Sequence, residues 1–266
     1  MSFKRFFILI SPNWLRELVG AGVFYTILPK VPLVKPKFTG IARFAPIIGL
    51  FIGIFEISIL LFLSNLGWPY ESLPFIAISI NLWLTGGLHF DGLMDTADGI
   101  AAGKKKSIEA MKDSRVGAGG VMALTINIAL QIAALYKIKL LYIYAIPIAC
   151  FWGRYSQIIA IGNYPYINSN GFSKFHQDTW GGNVKESIPS VFCIACILSY
   201  LVSINIDENS KIFLIIITLI GIIPAILIPN YLAFCLGGQT GDTYGASVIL
   251  VETFVLTLIA FIIPAS

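Results

Sequence analysis

Charged residues are scarce in this chain: Asp, Glu, Lys and Arg together make up 12% of its 266 residues. Soluble domains carry about 25% of these residues, so the composition excludes an ordinary soluble fold. Hydrophobic residues account for 57% of the chain, and the mean hydropathy is +0.83. The net charge of only +4 favours membrane lipids or a small anionic partner over nucleic acid. We therefore expect an all-α integral membrane protein that binds no nucleic acid.

Cysteine and histidine are also scarce, with four and two copies. Cys193 and Cys196 have the CxxC spacing of some metal and redox sites. Both lie within an apolar run, however, which favours small buried core residues over either kind of site.

The long apolar runs have the ~20 residues that a membrane-spanning helix needs. We predict a polytopic helical bundle of about seven spans, which forms a single membrane-embedded domain over residues 1–266. The shorter apolar segment 14–28 contains Arg16 and Glu17 and predicts an interfacial or re-entrant helix. The predicted spans lie at 44–66, 73–90, 117–136, 140–161, 187–205, 212–235 and 243–263.

Basic residues are distributed unevenly between the loops. The segment before the first span, the loop after the second and the loop after the fourth are rich in Lys and Arg, including the run 104–106. The opposite loops carry fewer bases, together with Glu71, Asp207 and Glu208. The positive-inside rule places the basic face in the cytoplasm, so we expect a multi-pass protein of the cell (inner) membrane.

The segment GGLHFDGLMDTADG (86–99) is the first motif with chemical meaning. Asp91, Asp95 and Asp98 follow an apolar run at i, i+4 and i+7, which places them on one stripe of a helix. Three like charges on one stripe repel each other, and a divalent cation removes that repulsion. Hard cations such as Mg²⁺ bind carboxylate oxygens and keep positions open for phosphate. Gly92 and Gly99, which are interspersed with the acids, indicate close approach by a ligand or another backbone.

Two further glycine-containing motifs fall on the same predicted face. In MKDSRVGAGG (111–120), Lys112 and Arg115 are spaced to bind one phosphate, and the following helix start could hold an anion. In GGQTGDTYGA (237–246), Asp242 is a candidate fourth metal ligand, and Gln239 and Thr240 are candidate substrate-binding residues.

His89 and Arg154 are further candidates. His89 is a candidate general base, although a lone histidine near the end of a span is more often structural. Asn81, Thr85 and His89 form an i, i+4, i+8 stripe, which predicts an interior-facing side of the second span. We expect Arg154 to bind substrate by facing the acids, or else to extend to the lipid interface. His176 and Asp178, in the polar loop 163–186, could also act on substrate, but the sequence does not rank them as candidates.

The three motifs together resemble the cobalamin synthase family, the adenosylcobinamide-GDP ribazoletransferases. They occur in the order and at the spacing of that family. The resemblance implies that a hydroxyl of α-ribazole, or of its 5′-phosphate, attacks a phosphorus of adenosylcobinamide-GDP, so that GMP leaves and the nucleotide loop of cobalamin is completed. It also implies Mg²⁺ as cofactor. The substrates come from the resemblance alone, and the sequence leaves the oligomeric state open.

Two other functions remain as alternatives at this level. A CDP-alcohol phosphotransferase also uses spaced acids on a membrane helix, but its pattern has an Ala-Arg pair that is missing after Asp95. A cation-coupled transporter could use the acids as an ion site, but such sites usually lie near the bilayer midplane, whereas these acids follow the end of a predicted span.

Overall fold

Helices account for nearly all of the regular structure. The computed structural model describes residues 11–168 and 171–263, and within them an isolated bridge between Tyr166 and Gln239 is the β pairing observed. The α-helices of this part of the chain are α1 Asn13–Tyr25, α2 Ala45–Asn65, α3 Leu73–Leu84, α4 Leu88–Ala101, α5 Ser107–Met111, α6 Ala118–Ile138, α7 Tyr142–Asn163, α8 Phe175–Asp178, α9 Asn183–Ser203, α10 Glu208–Leu219, α11 Ile222–Leu236 and α12 Gly241–Ile262.

Several of these helices are long and apolar enough to cross a membrane, so the predicted fold class is confirmed. Five helical stretches of the described residues meet this condition, or up to six if one bent pair is counted as a span. The longest stretch, Ala118–Asn163, has 46 residues and contains both α6 and α7. The predicted count of seven spans is not confirmed. The five stretches are Ile41–Asn65, Ala118–Asn163, Asn183–Ser203, Glu208–Leu236 and Gly241–Ile262.

The predicted second span is broken. Gly86 and Gly87 have φ angles of 62° and 74°, which end α3 and let α4 leave at 91° to Tyr70–Leu84. Only glycine adopts such φ values readily. The prediction of one continuous helix over 73–90 is therefore wrong, as is the stripe through His89, because His89 belongs to the next helix. At 12 residues, α3 is about 18 Å long, which is shorter than a bilayer core of about 30 Å.

The most buried helices, α7 and α12, lie at the centre of the bundle. A Cβ added to Gly153 of α7 would lie 3.0 Å from the carbonyl oxygen of Val248 on α12. Gly53 of α2 packs closely on Pro147, where a Cβ would lie 2.5 Å from its Cα. Small residues at helix contacts allow the close approach that stabilises membrane bundles.

The N-terminal helix is joined to the bundle by ion pairs. The predicted short helix at 14–28 is observed as α1, and it is not among the candidate spans. Glu17 on α1 accepts a hydrogen bond from Lys37 at 2.8 Å and lies 3.7 Å from Arg43, which also binds Glu186 of α9. These contacts connect α1 and the start of α9 on one side of the bundle.

The CxxC cysteines are free thiols. Cys193 is half-buried and Cys196 is exposed, because most of α9 faces outward and few of its residues are buried. The prediction that both are buried core residues is therefore wrong for Cys196.

Candidate active site

The crossing of α4 and α12 brings two distant motifs together. A Cβ added to Gly92 would lie 2.6 Å from the carbonyl oxygen of Asp242, and one added to Gly245 would lie 3.2 Å from the Cα of His89. The two backbones can meet this closely because both positions are glycine. The expectation that glycines among the acids mark a close approach is confirmed for Gly92, and the approaching group there is the backbone of α12. Asp242 is thereby placed beside the acid stripe of α4.

Four carboxylates gather at this crossing. Asp95 experiences electrostatic repulsion from Asp91, Asp98 and Asp242. Among residues 11–168 and 171–263, no ion pair joins a basic side chain to any of the four. Asp91 is exposed and the others are partly buried. In the same part of the chain, no three His, Cys, Asp or Glu side chains are close enough to enclose a metal ion alone. Mg²⁺ commonly takes only one or two carboxylates and completes its shell with water and phosphate.

Asp98 has a structural contact that the sequence did not predict. Its Oδ2 accepts a hydrogen bond from the N–H of Gly117 at 2.7 Å, and its Oδ1 accepts one from the N–H of Gly120 at 2.8 Å. A Cβ at Gly120 would lie 2.8 Å from the same carboxylate. The start of α6, which we expected to be open to an anion, is therefore already bound by a carboxylate of the protein. The role of Asp98 as a metal ligand stays a prediction.

The predicted phosphate-binding bases are exposed. Lys112 and Arg115 lie in the loop before α6, and Arg115 donates to Asp113 at 2.7 Å. Hydrogen bonding from Arg115 lowers the pKa of Asp113 to about 2. Their role in substrate binding stays a prediction. The sequence favoured a basic loop at the lipid headgroups for Lys104. Its Nζ would lie 3.3 Å from a Cβ on Gly237, however, so Lys104 reaches the third motif.

Gln239 and Thr240 are buried and hold the third motif in shape. Gln239 donates to the carbonyl oxygen of Pro229 at 2.8 Å and accepts from the hydroxyl of Thr243. Thr240 is the N-cap of α12, where it accepts from the N–H of Thr243 and completes a capping box. Its hydroxyl also lies 3.5 Å from Asp242. These contacts fix the position of Asp242, and substrate binding by the two side chains stays a prediction.

Residues 165–167, in the polar segment to which the sequence assigned no definite role, pack on the third motif. The N–H of Ile167 donates to the carbonyl oxygen of Gln239 at 2.9 Å, and the N–H of Gln239 donates to that of Pro165 at 2.8 Å. His176 is buried against Phe175, and burial lowers its pKa to about 4. Asp178 is exposed.

His89 and Arg154 point into the protein. His89 is buried, and both of its ring nitrogens lack a hydrogen-bond partner among the described residues. Arg154 is fully buried and pairs with Glu252 of α12. Neither expected position of Arg154 is correct. Its partner inside the bundle is Glu252, an acid 98 residues away that the sequence did not single out.

Comparison with known proteins identifies relatives over almost the whole chain. The family described as cobalamin-5-phosphate synthase matches residues 17–260. A protein from one strain of Prochlorococcus marinus, named adenosylcobinamide-GDP ribazoletransferase, is 56% identical, with 96% of this chain and 99% of the relative covered. Proteins of the same name from a second P. marinus strain and from Thermosynechococcus vestitus are 43% and 34% identical, and the matches cover 96% and 94% of this chain and 99% and 98% of the relatives. No solved structure matches the chain.

Proposed function

This chain belongs to the cobalamin-5-phosphate synthase family, and on that premise we propose that it transfers α-ribazole, or its 5′-phosphate, to adenosylcobinamide-GDP. A hydroxyl oxygen of the ribazole forms a bond to a phosphorus of the GDP group, the bond from that phosphorus to GMP breaks, and the hydroxyl proton passes to a base. The observation that carries the proposal is the group of four carboxylates at the crossing of α4 and α12, none of which is paired with a base of the described chain.

The donor set fits magnesium. Asp91, Asp95, Asp98 and Asp242 are the candidate ligands, and one or two of these carboxylates would bind each of one or two ions directly, while water and substrate oxygens complete the shell. When bound, the ion supplies positive charge to phosphate oxygens and to the leaving GMP. The carboxylates would fix the position of the ion, because the close contact at Gly92 holds the backbones of α4 and α12 together.

Basic side chains of the segment between α4 and α6 would bind the phosphates. Lys112 and Arg115 are exposed in the loop that leads to α6, and Lys104 lies against Gly237. Arg115 would exchange its exposed contact with Asp113 for a bidentate contact with phosphate oxygens, at little cost because exposed ion pairs contribute little to stability. His89, or an acid that is not bound to metal, would accept the proton of the attacking hydroxyl.

The active face would lie in the cytoplasm, as the positive-inside rule favours. Single cysteines replacing Lys105, Lys174 and Asn209, which are all exposed, test this orientation in a variant without native cysteines. We expect Lys105→Cys and Lys174→Cys to react only with a reagent that enters the cytoplasm, and Asn209→Cys to react with an impermeant reagent from outside. Labelling of the first two positions from outside would overturn both the topology and the cytoplasmic active face.

A turnover assay tests the reaction itself. Purified protein in detergent is supplied with adenosylcobinamide-GDP and α-ribazole, and GMP is measured. We expect GMP release that stops with a chelator and resumes when Mg²⁺ is added. Turnover without a membrane gradient would exclude obligatory ion-coupled transport. Activity only on CDP-alcohol lipids would overturn the proposal in favour of a lipid phosphotransferase.

A further inference from the structure

A groove of about 710 Å³ opens beside Asp91. Its walls are the end of α1 with the residues that follow, the end of α3 with the glycine break at 86–87, the first half of α4 and one side of α6. Its volume lies within the ~300–1,000 Å³ found for small-molecule sites. We call it the Asp91 groove.

The Asp91 groove is apolar apart from one acid. In the described chain, Asp91 is the only Asp, Glu, Lys or Arg among the residues that line it. A phosphate bound deep in the groove would have no cation to pair with, which is strongly unfavourable. The groove therefore fits an apolar part of a substrate rather than its diphosphate. The aliphatic and aromatic side chains of its wall include Ile27, Leu82, Leu88, Phe90, Leu124 and Ile128.

The polar groups of the wall already have partners. The hydroxyl of Thr26 donates to the carbonyl oxygen of Gly22 at 2.6 Å, and the hydroxyl of Thr85 donates to that of Asn81 at 2.8 Å. The backbone N–H groups of residues 86–88 donate to preceding carbonyl oxygens. A guanine base, whose edges carry several donors and acceptors, would find no free donor among these groups and would lose its hydrogen bonds with water.

Size separates the remaining parts of the two substrates. A benzimidazole base would leave most of a groove of this volume unfilled, and unfilled apolar space loses dispersion contacts. The corrin of adenosylcobinamide is a far larger macrocycle. Its faces carry methyl and methylene groups, and its amide side chains project from the rim. Because the groove opens at Asp91, which is exposed, these amides can stay at the hydrated end.

The position of the groove connects it to the reacting atoms. Asp91 and Met94 both line it, and Asp95 follows Met94 on the same helix. At about 1.5 Å per residue, Asp91 and Asp95 are separated by about 6 Å along α4. A group in the groove therefore lies within about one helical turn of two candidate magnesium ligands. The diphosphate of adenosylcobinamide-GDP is attached to the corrin by a short linker, so both parts can be bound at once.

We propose that the Asp91 groove binds the corrin macrocycle of adenosylcobinamide-GDP and so places its diphosphate at the acids. This inference rests on the proposed function. It also gives the broken span a role in recognition. Because α4 leaves at 91° to Tyr70–Leu84, space opens between α3 and α4, and the macrocycle lies in that space.

Cobinamide, which has the corrin but lacks the GDP group, tests the groove separately from turnover. Equilibrium dialysis of detergent-purified full-length protein with dicyanocobinamide gives a Kd from the visible absorption of the corrin, without metal or the second substrate. Leu124→Trp fills the groove from α6, and Leu82→Trp fills it from α3. We expect each to raise the Kd for cobinamide and the KM for adenosylcobinamide-GDP about ten-fold or more, with the KM for α-ribazole unchanged.

Ile126→Trp is the matched control. Ile126 lies two residues from Leu124 on α6, is exposed, and is not among the residues that line the groove. The substitution therefore adds the same indole to another face of the same helix, and we expect its Kd for cobinamide to equal the wild-type value. The thermal unfolding midpoint in detergent shows whether each variant folds. The two groove variants are independent tests, because Leu82 and Leu124 lie on different helices.

Three results would overturn the inference. The first is a wild type that releases GMP but does not bind dicyanocobinamide at millimolar concentration. The second is binding by both folded groove variants that equals that of Ile126→Trp, which would indicate that a membrane lipid occupies the groove. The third is a rise in the KM for α-ribazole alone, which would indicate that the base occupies it. If cobinamide binds and both variants weaken it, but no GMP is released, the groove assignment stands and the proposed function fails.

Discussion

Two groups of acids in this apolar chain differ in whether the protein supplies their partners. In the bundle interior, Glu252 pairs with Arg154, and Glu56 accepts a hydrogen bond from Asn81 at 2.8 Å. At the crossing of α4 and α12, the acids repel one another and have no basic partner among the described residues. The helix α12 contributes to both groups, with Asp242 in its first turn and Glu252 further along.

The difference separates structural acids from those that need an external ion. A buried charge without a partner costs several kcal/mol, so the interior acids have partners supplied by the chain. The acids at the crossing are more exposed, which makes their repulsion tolerable without a bound ion and leaves oxygens available for one. Removing a charge should therefore affect stability in the first group and catalysis in the second.

The largest expected effect is on turnover. Asp91→Asn and Asp95→Asn each remove a carboxylate charge while keeping the shape of the side chain. We expect GMP release to fall by about 100-fold or more, since charge stabilisation by a metal contributes several kcal/mol to a transition state. The thermal unfolding midpoint in detergent should not fall.

Glu71→Gln serves as the control for this pair. Glu71 is an exposed acid in the turn before α3, on the opposite predicted face. We expect normal GMP release from this variant. Near-normal GMP release by both Asp variants would contradict the distinction between structural acids in the interior and catalytic acids at the crossing.

Breaking the interior pair of Arg154 and Glu252 should lower the stability of the fold. Arg154→Met leaves Glu252 without its partner, and breaking a buried pair costs about 3–5 kcal/mol. We expect a marked fall in the unfolding midpoint in detergent. The double variant Arg154→Met/Glu252→Leu replaces both charges with apolar groups and should recover most of the loss. An Arg154→Met protein as stable as the wild type would mean that the interior acids are not structural.

Asp98 should show both responses, because it carries a carboxylate of the acid stripe and also binds the start of α6. Asp98→Asn keeps one acceptor and replaces the other with a donor, so one N–H, of Gly117 or Gly120, loses its partner. We expect a loss of about 1.5–3 kcal/mol in unfolding free energy in addition to reduced turnover. If Asp98→Asn unfolds at the same midpoint as Asp91→Asn, the contact with α6 does not stabilise the fold.

Local patterns account for what the sequence predicted of the fold. The apolar runs predicted the helical membrane class because the length and hydropathy of each run can be read from that run alone. The break at Gly86 and Gly87 was missed because apolar residues continue on both sides of it, so hydropathy does not change there. The interior acids were missed because Glu56 and Glu252 stand alone on separate helices, and their partners are far away in sequence.

The same reasoning explains what was predicted of the site. The stripe on α4 was found because its three acids share one helix, and Asp242 was added because its loop lies on the same predicted face. The contact of Asp98 with α6 and the packing of 165–167 on Gln239 depend on tertiary structure. The spacing of residues along the sequence does not indicate either of these contacts.

The smallest expected effect concerns Asp242, the acid of the crossing that α12 supplies. If Asp242 completes the magnesium site, Asp242→Asn should raise the Mg²⁺ concentration for half-maximal GMP release by about ten-fold or more, since losing one carboxylate from a divalent site costs on the order of 1–2 kcal/mol. Asp207→Asn is the control, because it removes a carboxylate at the N-cap of α10, on the opposite predicted face. Its magnesium curve should match the wild type. A magnesium curve for Asp242→Asn that overlays the wild type would exclude Asp242 from the site, and the stripe on α4 would then bind the ion with substrate oxygens alone.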